Sequence, residues 1–299
     1  MDFDSADQSP LIEPGLGVKE GDYLIEVGGR AAKAGTSWRE ALLGRAGQRV
    51  MIKVNAMPSE TGARSVDVRP VASEVRMRWW DWVEQRKAYV DKASGGKLAY
   101  VYLQSMVASD MADFIRQYFP QRNKQGLVMD VRFNTGGMIS DFIITILKQK
   151  GIAFWNQRNT SVPWTRQGDF FPGPMVCLEN EFNYSDGEEF PYYFRAMKLG
   201  PVIGRRTRGG EVGSDPGWPL ADGGSVSVPD YGMFSPEQGW VIEGHGVDPD
   251  VEVLSDPNAW AKGKDPQLDK AIEVLMEQIR KNPYKIPAFP PDPARVKGG

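Results

Sequence analysis

Cysteine and histidine are almost absent from this chain of 299 residues, which has one of each, Cys177 and His245. A single cysteine excludes a disulfide within the chain, and its place in an apolar run indicates a small buried side chain. Most zinc sites need several cysteines or at least one histidine, so we predict no metal site and no cofactor. Most hydrolases that use a serine need a histidine base. In such an enzyme the base is therefore His245, another type of residue, or a group outside this chain.

Long apolar runs and a strong net charge are also missing. No run approaches the length of a transmembrane helix, and the acidic start of the chain is unlike a signal peptide. The net charge is −3 with both signs mixed, so neither a nucleic acid nor a membrane surface is a predicted partner. These features predict a cytoplasmic protein.

Three segments are predicted from the change of pattern along the chain: 1–74, 75–281 and 282–299. The last is rich in proline and basic residues and predicts an extended tail. The first predicts a β-rich domain with a strand, a short helix and two further strands, at residues 21–30, 36–43, 48–55 and 63–71. Its stretch GVKEGDYLIEVGGR resembles the later part of a PDZ domain. The first strands of such a domain would lie before Met1, so we expect a partial PDZ-like domain for which direct peptide capture is not expected.

Strands and helices alternate in the middle segment. Predicted strands lie at 98–103, 126–132, 175–178 and 201–204, followed by shorter ones at 225–228, 240–243 and 251–254. Predicted helices lie at 73–92, 109–118, 139–148, after Ser185, and at 265–280. Apolar strands between helices are typical of a largely buried sheet, so this segment predicts an α/β domain.

Ser185 lies between a predicted strand and a predicted helix, where two interpretations stay open. A serine on such a corner is next to unpaired backbone N–H groups and the positive end of the helix dipole, which suits a nucleophile. The same residue followed by Glu188 also matches a capping box, which needs no catalysis. Pro191 is tolerable in this helix if it lies within about the first turn.

Asn134-Thr-Gly-Gly137 is the second candidate turn, and it follows the strand at 126–132. In a parallel sheet the carboxyl ends of strands share one edge, so this turn and that of Ser185 are expected to line one crevice. The N–H groups of Gly136 and Gly137 would then be able to meet an oxyanion formed at Ser185. The alternative is a tight turn that needs glycine only for its positive φ.

Four ordered motifs together resemble one family: DVRFNTGG, NEFNYSDGEEFPYYF, LGPVIGRRTRGGEVG and WVIEGHGVDPDVEV. They are similar to the catalytic part of the tricorn proteases and, more distantly, to the C-terminal processing peptidases. The resemblance implies a crotonase/ClpP-like α/β serine peptidase domain behind the partial PDZ-like domain, peptide substrates and a homo-oligomer. It also implies that Ser185 is the nucleophile, that the amides of Asp186 and Gly137 (or Gly136) form the oxyanion hole, and that Glu243 is a buried acid that orients the catalytic groups.

Gly210 departs from the processing peptidases, which carry a lysine base at this point of the motif. The resemblance then implies the tricorn arrangement, in which the base histidine belongs to a domain that precedes the PDZ domain. We therefore expect this chain to be a C-terminal fragment whose upstream catalytic-base domain is a partner. His245 as the base and Ser140 as the nucleophile are the alternatives, although Ser140 is also a predicted helix cap.

Three functions follow from these alternatives. The first is a tricorn-type serine endopeptidase. The second is a peptide-binding or assembly module that is catalytically silent because its base is absent. The third is a crotonase-like enzyme, since such sheets also use paired N–H groups as an oxyanion hole, and the PDZ-like segment argues against it.

Overall fold

Residues 8–35, 37–157, 159–165, 170–214 and 217–291 are described by a computed structural model of the chain. The chain divides into two units, Met1–Gln85 and Arg86–Gly299. The division falls inside a helix, α1 (Val75–Ser94). From residue 282 to 291 the described backbone forms neither helix nor strand, and the rest of the predicted tail lies outside the described residues. The predicted limits of the three segments stay a prediction.

The first unit contains a four-stranded antiparallel sheet in the order β2-β1-β3-β4. Its strands are β1 (Tyr23–Val27), β2 (Arg30–Ala31), β3 (Val50–Asn55) and β4 (Arg64–Val68). Gly28 and Gly29 form the tight turn between β1 and β2 with φ values of 55° and 82°, which glycine adopts without strain. Inward-pointing residues of the strands form the core of this unit: Val27, Val50, Ile52, Val54 and Val68.

The second unit contains a five-stranded parallel sheet in the order β15-β8-β7-β6-β5. Its strands are β5 (Leu98–Tyr102), β6 (Gly126–Asp130), β7 (Met175–Glu179), β8 (Val202–Gly204) and β15 (Val251–Glu252). Its helices are α2 (Asp110–Tyr118), α3 (Ser140–Leu147), α4 (Asp186–Ala196), α5 (Pro257–Ala261) and α6 (Pro266–Lys281). Three short antiparallel pairs are formed by β9 (Gly213–Ser214), β10 (Trp218–Pro219), β11 (Ser225–Val226), β12 (Pro229–Tyr231), β13 (Phe234–Ser235) and β14 (Gly239–Trp240).

Both faces of the parallel sheet are covered by helices. Successive side chains of a strand point to opposite faces, so Leu127 and Met129 share a core with residues of α2, α3 and α4. Gly126 points the other way, and a Cβ there would lie 3.2 Å from a methyl carbon of Ile279 on α6. All residues of β5, β6, β7 and β8 are buried, which explains their continuous apolar sequences. The predicted α/β fold with a β-rich PDZ-like unit in front is confirmed.

A buried ion-pair network fixes the end of β6. Arg132 is fully buried, and its guanidinium binds both carboxylate oxygens of Asp130 and both of Asp265 at 2.6 to 2.9 Å. Arg132 also donates to Gln267 at 3.1 Å. Asp265 caps α6, so the network ties the carboxyl end of β6 to the start of that helix.

Several local predictions differ from the structure. The described part of the short helix predicted after Thr36 is a 3-10 turn, Trp38–Leu42, and α5 was not predicted. Pro191 lies in the second turn of α4 rather than the first. A proline there frees the carbonyl of Gly187, one turn back, and Asn183 Nδ2 donates to that oxygen at 2.7 Å.

Candidate active site

The turns after β6 and β7 meet at the carboxyl edge of the parallel sheet. Tyr184 N donates to the carbonyl oxygen of Asn134 at 3.0 Å, which joins the two turns directly. Asn134 is fully buried; its Nδ2 donates to Leu103 O at 2.9 Å and its Oδ1 accepts from Gly136 N at 2.9 Å. The structure therefore brings together the two turns that the sequence places at strand ends.

Ser185 occupies a strained corner between β7 and α4. Its φ is 54° and its ψ is −134°, a region that residues with a side chain rarely adopt. It is the N-cap residue of α4, yet its side chain makes no capping hydrogen bond. Its backbone N–H donates to Gly210 O at 3.1 Å instead of to Glu188. The capping-box interpretation is therefore wrong, and the hydroxyl of Ser185 is not used to cap the helix.

Two glycines allow the turns to approach closely. A Cβ on Gly136 would lie 2.7 Å from Cβ of Ser185, and Gly136 has a φ of 87°. A Cβ on Gly187 would lie 2.6 Å from Oδ1 of Asn134. Both distances are far shorter than ordinary contacts between carbon and other heavy atoms, so a side chain at either position would push the turns apart.

The backbone N–H groups of Gly137 and Asp186 lie on these two turns. Met106 N donates to Gly136 O at 2.8 Å, and Met138 N donates to Met106 O at 2.7 Å. The N–H of Gly137, which lies between Gly136 and Met138, takes no part in this pairing. In the part of the chain that the structure describes, no acceptor is bonded to the N–H of Gly137 or of Asp186. The N–H of Gly136 is already bound to Asn134, so of the two glycines considered only Gly137 has an unused amide.

The carboxylate of Asp186 links the start of α4 to the start of α3. It accepts hydrogen bonds from Ile139 N at 2.8 Å, from Ser140 N at 3.2 Å and from the hydroxyl of Ser140. Burial raises the pKa of Asp186 above its ordinary value, and the Ser140 hydroxyl opposes this shift. Ser140 is buried and its hydroxyl is not a cap for α3, so that prediction is wrong.

Glu188 has a role in the structure that the sequence did not reveal. It is fully buried, and its carboxylate accepts from the hydroxyl of Thr207, from Gly209 N at 2.6 Å and from Gly210 N at 2.7 Å. The segment 207–210 is thereby held against α4. Since Gly210 O accepts from Ser185 N, Glu188 fixes the backbone on which Ser185 rests.

Glu243 is exposed, so the expectation of a buried acid at this position is wrong. Its Oε2 accepts from the backbone N–H groups of Glu211 and Val212, both at 2.7 Å. These two residues follow Gly210, so Glu243 holds the backbone directly after segment 207–210. Glu243 is therefore linked to Ser185 only through the backbone of Gly210, whose carbonyl oxygen accepts from Ser185 N.

His245 is also exposed and pairs with Asp248. Its Nε2 lies 2.7 Å from Oδ2 of Asp248, and the same carboxylate binds Arg206 at 2.6 Å. Among the contacts of the described residues, none joins the His245 ring to Ser185. The structure therefore shows His245 engaged on the surface with Asp248.

Glu189 and Glu211 form a second feature that the sequence did not reveal. Burial, followed by a hydrogen bond to Glu189, raises the pKa of Glu211 to about 9. Glu189 accepts from the hydroxyl of Tyr193 at 2.9 Å. Glu189 lies one helical turn beyond Ser185 on α4, and Glu211 directly follows Gly210 in the chain.

The arrangement has the parts that acyl transfer uses. An uncapped serine lies on a strained corner, two unused N–H groups lie on the turns that meet there, and buried carboxylates hold the backbone around them.

Within the described residues, no cluster of three or more His, Cys, Asp or Glu is arranged to hold a metal ion. Nor does the described chain contain a helix long and apolar enough to cross a membrane.

Comparison with known families assigns the chain to a class. The model of peptidase family S41 matches residues 97–253, and the model of the tricorn protease PDZ domain matches residues 2–73. The chain therefore belongs to peptidase family S41, whose members are serine-type hydrolases.

Individual relatives are tricorn proteases. Tricorn protease homolog 1 of Streptomyces coelicolor is 38% identical over 94% of this chain and 26% of its own length. The tricorn protease of Thermoplasma volcanium is 34% identical over 94% of this chain and 27% of its own. A crystal structure of the tricorn protease superposes with a TM-score of 0.85 at 32% identity, covering 93% of this chain and 27% of that one. The chain thus spans about a quarter of the length of these relatives.

Proposed function

We propose that this chain is the serine peptidase core of a tricorn-type enzyme that hydrolyses peptides. In this proposal the hydroxyl of Ser185 attacks the carbonyl carbon of the scissile bond, and the N–H groups of Gly137 and Asp186 stabilise the oxyanion that forms. The observation that carries the proposal is the uncapped hydroxyl of Ser185 on a strained corner, where two turns with unused amides meet. Positioned donors of this kind are usually the largest single contribution to acyl-transfer catalysis.

Glu243 is proposed as a positioning residue. Its carboxylate binds the N–H groups of Glu211 and Val212, directly after the residue whose carbonyl oxygen accepts from Ser185 N. This chain of contacts holds the backbone of Ser185 while its hydroxyl reacts. The geometry of the segment and the place of Glu243 in the family motif support this role.

The base is proposed to come from outside this chain. Gly210 stands where the processing peptidases carry lysine, and the ring of His245 is bound to Asp248. An upstream domain of the same protein would then supply a histidine, and the coverage of about a quarter of each relative supports such a domain. Peptide substrates, assembly into a homo-oligomer and a cytoplasmic location belong to the same proposal.

The proposal is tested by Ser185→Ala in the longer protein that contains this chain. We expect peptide hydrolysis and labelling by a fluorophosphonate probe to be lost, because both need the serine oxygen as nucleophile. The protein should stay folded, because Ser185 makes no capping hydrogen bond. Ser140→Ala tests the alternative nucleophile at the same edge of the sheet. Wild-type turnover in Ser185→Ala would contradict the proposal, and loss of labelling in Ser140→Ala alone would make Ser140 the nucleophile.

A catalytically silent module is the second candidate for the isolated chain. It is favoured by one observation: no basic side chain is hydrogen-bonded to Ser185 among the described residues. A serine without a base is a poor nucleophile at neutral pH. We expect the isolated chain to hydrolyse fluorogenic peptides very slowly, and to gain activity when the separately expressed upstream domain is added. Fast turnover by the chain alone that is lost in His245→Ala would instead make His245 the base.

A further inference from the structure

The aromatic ring of Tyr184 lies against a glycine of the segment that faces Ser185. A Cβ built on Gly210 would lie 2.6 Å from Cε2 and 2.9 Å from Cδ2 of this ring. Ordinary contacts between carbon atoms are about 3.5–4.0 Å, so the ring occupies the space in which a side chain of residue 210 would begin. Gly210, unlike Gly209, does not have a positive φ. The ring, and not the backbone conformation, therefore requires glycine at this position.

Tyr184 is fixed to both segments that meet at the corner. Its backbone N–H donates to Asn134 O at 3.0 Å, which anchors it on the turn after β6. Its ring packs on Gly210, whose carbonyl oxygen accepts from Ser185 N at 3.1 Å. The residue that precedes Ser185 is thus held by its backbone on one turn and by its side chain on segment 207–210.

The ring, and not the hydroxyl, makes the contacts of the Tyr184 side chain. The guanidinium carbon of Arg208 lies 5.0 Å from the centre of the ring, and Arg208 N donates to Asn183 O at 3.3 Å. Among the contacts of the described residues, none involves the hydroxyl of Tyr184. Although the residue is 41% exposed, its ring is therefore held by Gly210 and Arg208.

Ser185 needs such support because its backbone is strained. Its φ of 54° and ψ of −134° lie in a region that residues with a side chain adopt only where the surrounding structure holds them there. On the helix side, Glu188 N donates to Ser185 O at 2.6 Å. On the strand side, Tyr184 supplies the support through its backbone and its ring. Without the ring, only hydrogen bonds of the backbone would hold this side, and the serine hydroxyl would adopt more directions.

We propose that Tyr184 is a positioning residue whose ring, packed on Gly210, holds the hydroxyl of Ser185 in the direction of its attack. The inference rests on the proposed function. A misplacement of reacting atoms by about 1 Å lowers a rate by up to about 100-fold, so a contact one residue from the nucleophile is close enough to control turnover. The ring also takes the space beside Ser185 that a side chain of residue 210 would need, so this position carries no base unless the ring moves away.

The first test compares two changes of Tyr184 in the longer protein that contains this chain. Tyr184→Ala should lower kcat about tenfold, leave KM within about twofold and slow fluorophosphonate labelling as strongly as kcat, because the ring acts on the serine and not on the substrate. Tyr184→Phe should keep at least about half of the wild-type kcat, because it keeps the ring. Circular dichroism checks that each variant is folded at the temperature of the assay.

The second test is a double-mutant cycle between the ring and the glycine. Gly210→Ala should lower kcat about tenfold, because its methyl group meets the ring. Once Tyr184→Ala has removed the ring, the same glycine change should lower kcat by less than about a further twofold. Gly209→Ala is the matched control: its Cβ would lie 2.8 Å from backbone nitrogen atoms of His245 and Gly246, so Tyr184→Ala should not relieve its effect.

The outcomes separate this inference from the proposed function. Labelling that is lost in Ser185→Ala but unchanged in Tyr184→Ala would leave Ser185 as the nucleophile and overturn the role of Tyr184. An equal loss from Gly210→Ala with and without the ring, or a tenfold loss in Tyr184→Phe, would also overturn it. If the wild-type longer protein shows neither turnover nor labelling, the proposed function fails and this inference with it.

Hydrogen exchange gives a measurement that does not depend on the folding of the glycine variants. The amide of Ser185 is bonded to Gly210 O, and it should exchange faster in Tyr184→Ala than in wild type. Amides of β6 should exchange at the wild-type rate, because the change is local. Unchanged exchange at the Ser185 amide would contradict the support that the ring is proposed to give.

Discussion

Replacement of Glu188 by glutamine should loosen the segment that supports Ser185. The carboxylate accepts three hydrogen bonds, from the hydroxyl of Thr207, from Gly209 N at 2.6 Å and from Gly210 N at 2.7 Å. Glutamine keeps one oxygen, and its –NH₂ group must face at least one backbone N–H that has lost its acceptor. A buried unsatisfied donor costs about 1–3 kcal/mol, and loss of the charge weakens the remaining bonds. We expect a destabilisation of about 2–4 kcal/mol.

Thermal unfolding and amide exchange of the chain measure this effect. A loss of 2–4 kcal/mol lowers the Tm by roughly 5–15 °C in a unit of this size. Hydrogen exchange at the amides of Gly209 and Gly210 should accelerate more than at amides of β6, because the effect is local. Glu273→Gln removes the same charge from an exposed ion pair and should change stability by less than about 0.5 kcal/mol. An unchanged Tm with unchanged exchange at Gly209 and Gly210 would refute this account of Glu188.

Three further changes are expected to have measurable effects. Arg132→Met leaves the buried carboxylate of Asp130 without its cation and Asp265 with only the longer ion pair to Arg86. It should destabilise the chain by about 3–5 kcal/mol in urea titrations, and a smaller loss would contradict the network. The pKa of Glu211 in the folded protein, about 9, lies above its value in the unfolded chain, so wild-type stability should fall as the pH rises from about 5 to 9. Glu211→Gln should flatten that dependence, and parallel profiles of Tm against pH for wild type and variant would contradict it. Glu243→Gln in the longer protein should lower kcat more than it raises KM, and unchanged turnover would remove it from the site.

The elements with strong apolar patterns were predictable from the sequence. The strands from Leu98 to Gly204 are buried on both faces, so their residues form continuous apolar runs that alternate with helices. Between Gly213 and Trp240 the strands are two or three residues long and mostly exposed. Such short pairs have no apolar period, so the sequence indicated only some of them.

The capping box at Ser185 illustrates why local patterns fail at this site. The residues Ser185 and Glu188 match the motif, but the Glu188 carboxylate has partners about twenty positions further along the chain. The pairing of Glu189 with Glu211 likewise depends on the path of the intervening chain. The positions of the two turns were predictable because strand ends share an edge in a parallel sheet, whereas these side-chain partners depend on loop geometry that no short motif records.

The two roles of Asp186 have a mechanical consequence. Its backbone N–H is one of the two proposed oxyanion donors, and its carboxylate binds Ile139 and Ser140, two and three residues after the other donor, Gly137. The donors belong to segments about fifty positions apart, yet this short bridge correlates their displacements. Thermal motion that shifts the start of α4 carries the loop of Gly137 with it, so the gap between the amides varies less than either position does. Transfer of only one of these two loops into another protein would remove the hydrogen bonds of Asp186, and the distance between the two amides would no longer be fixed.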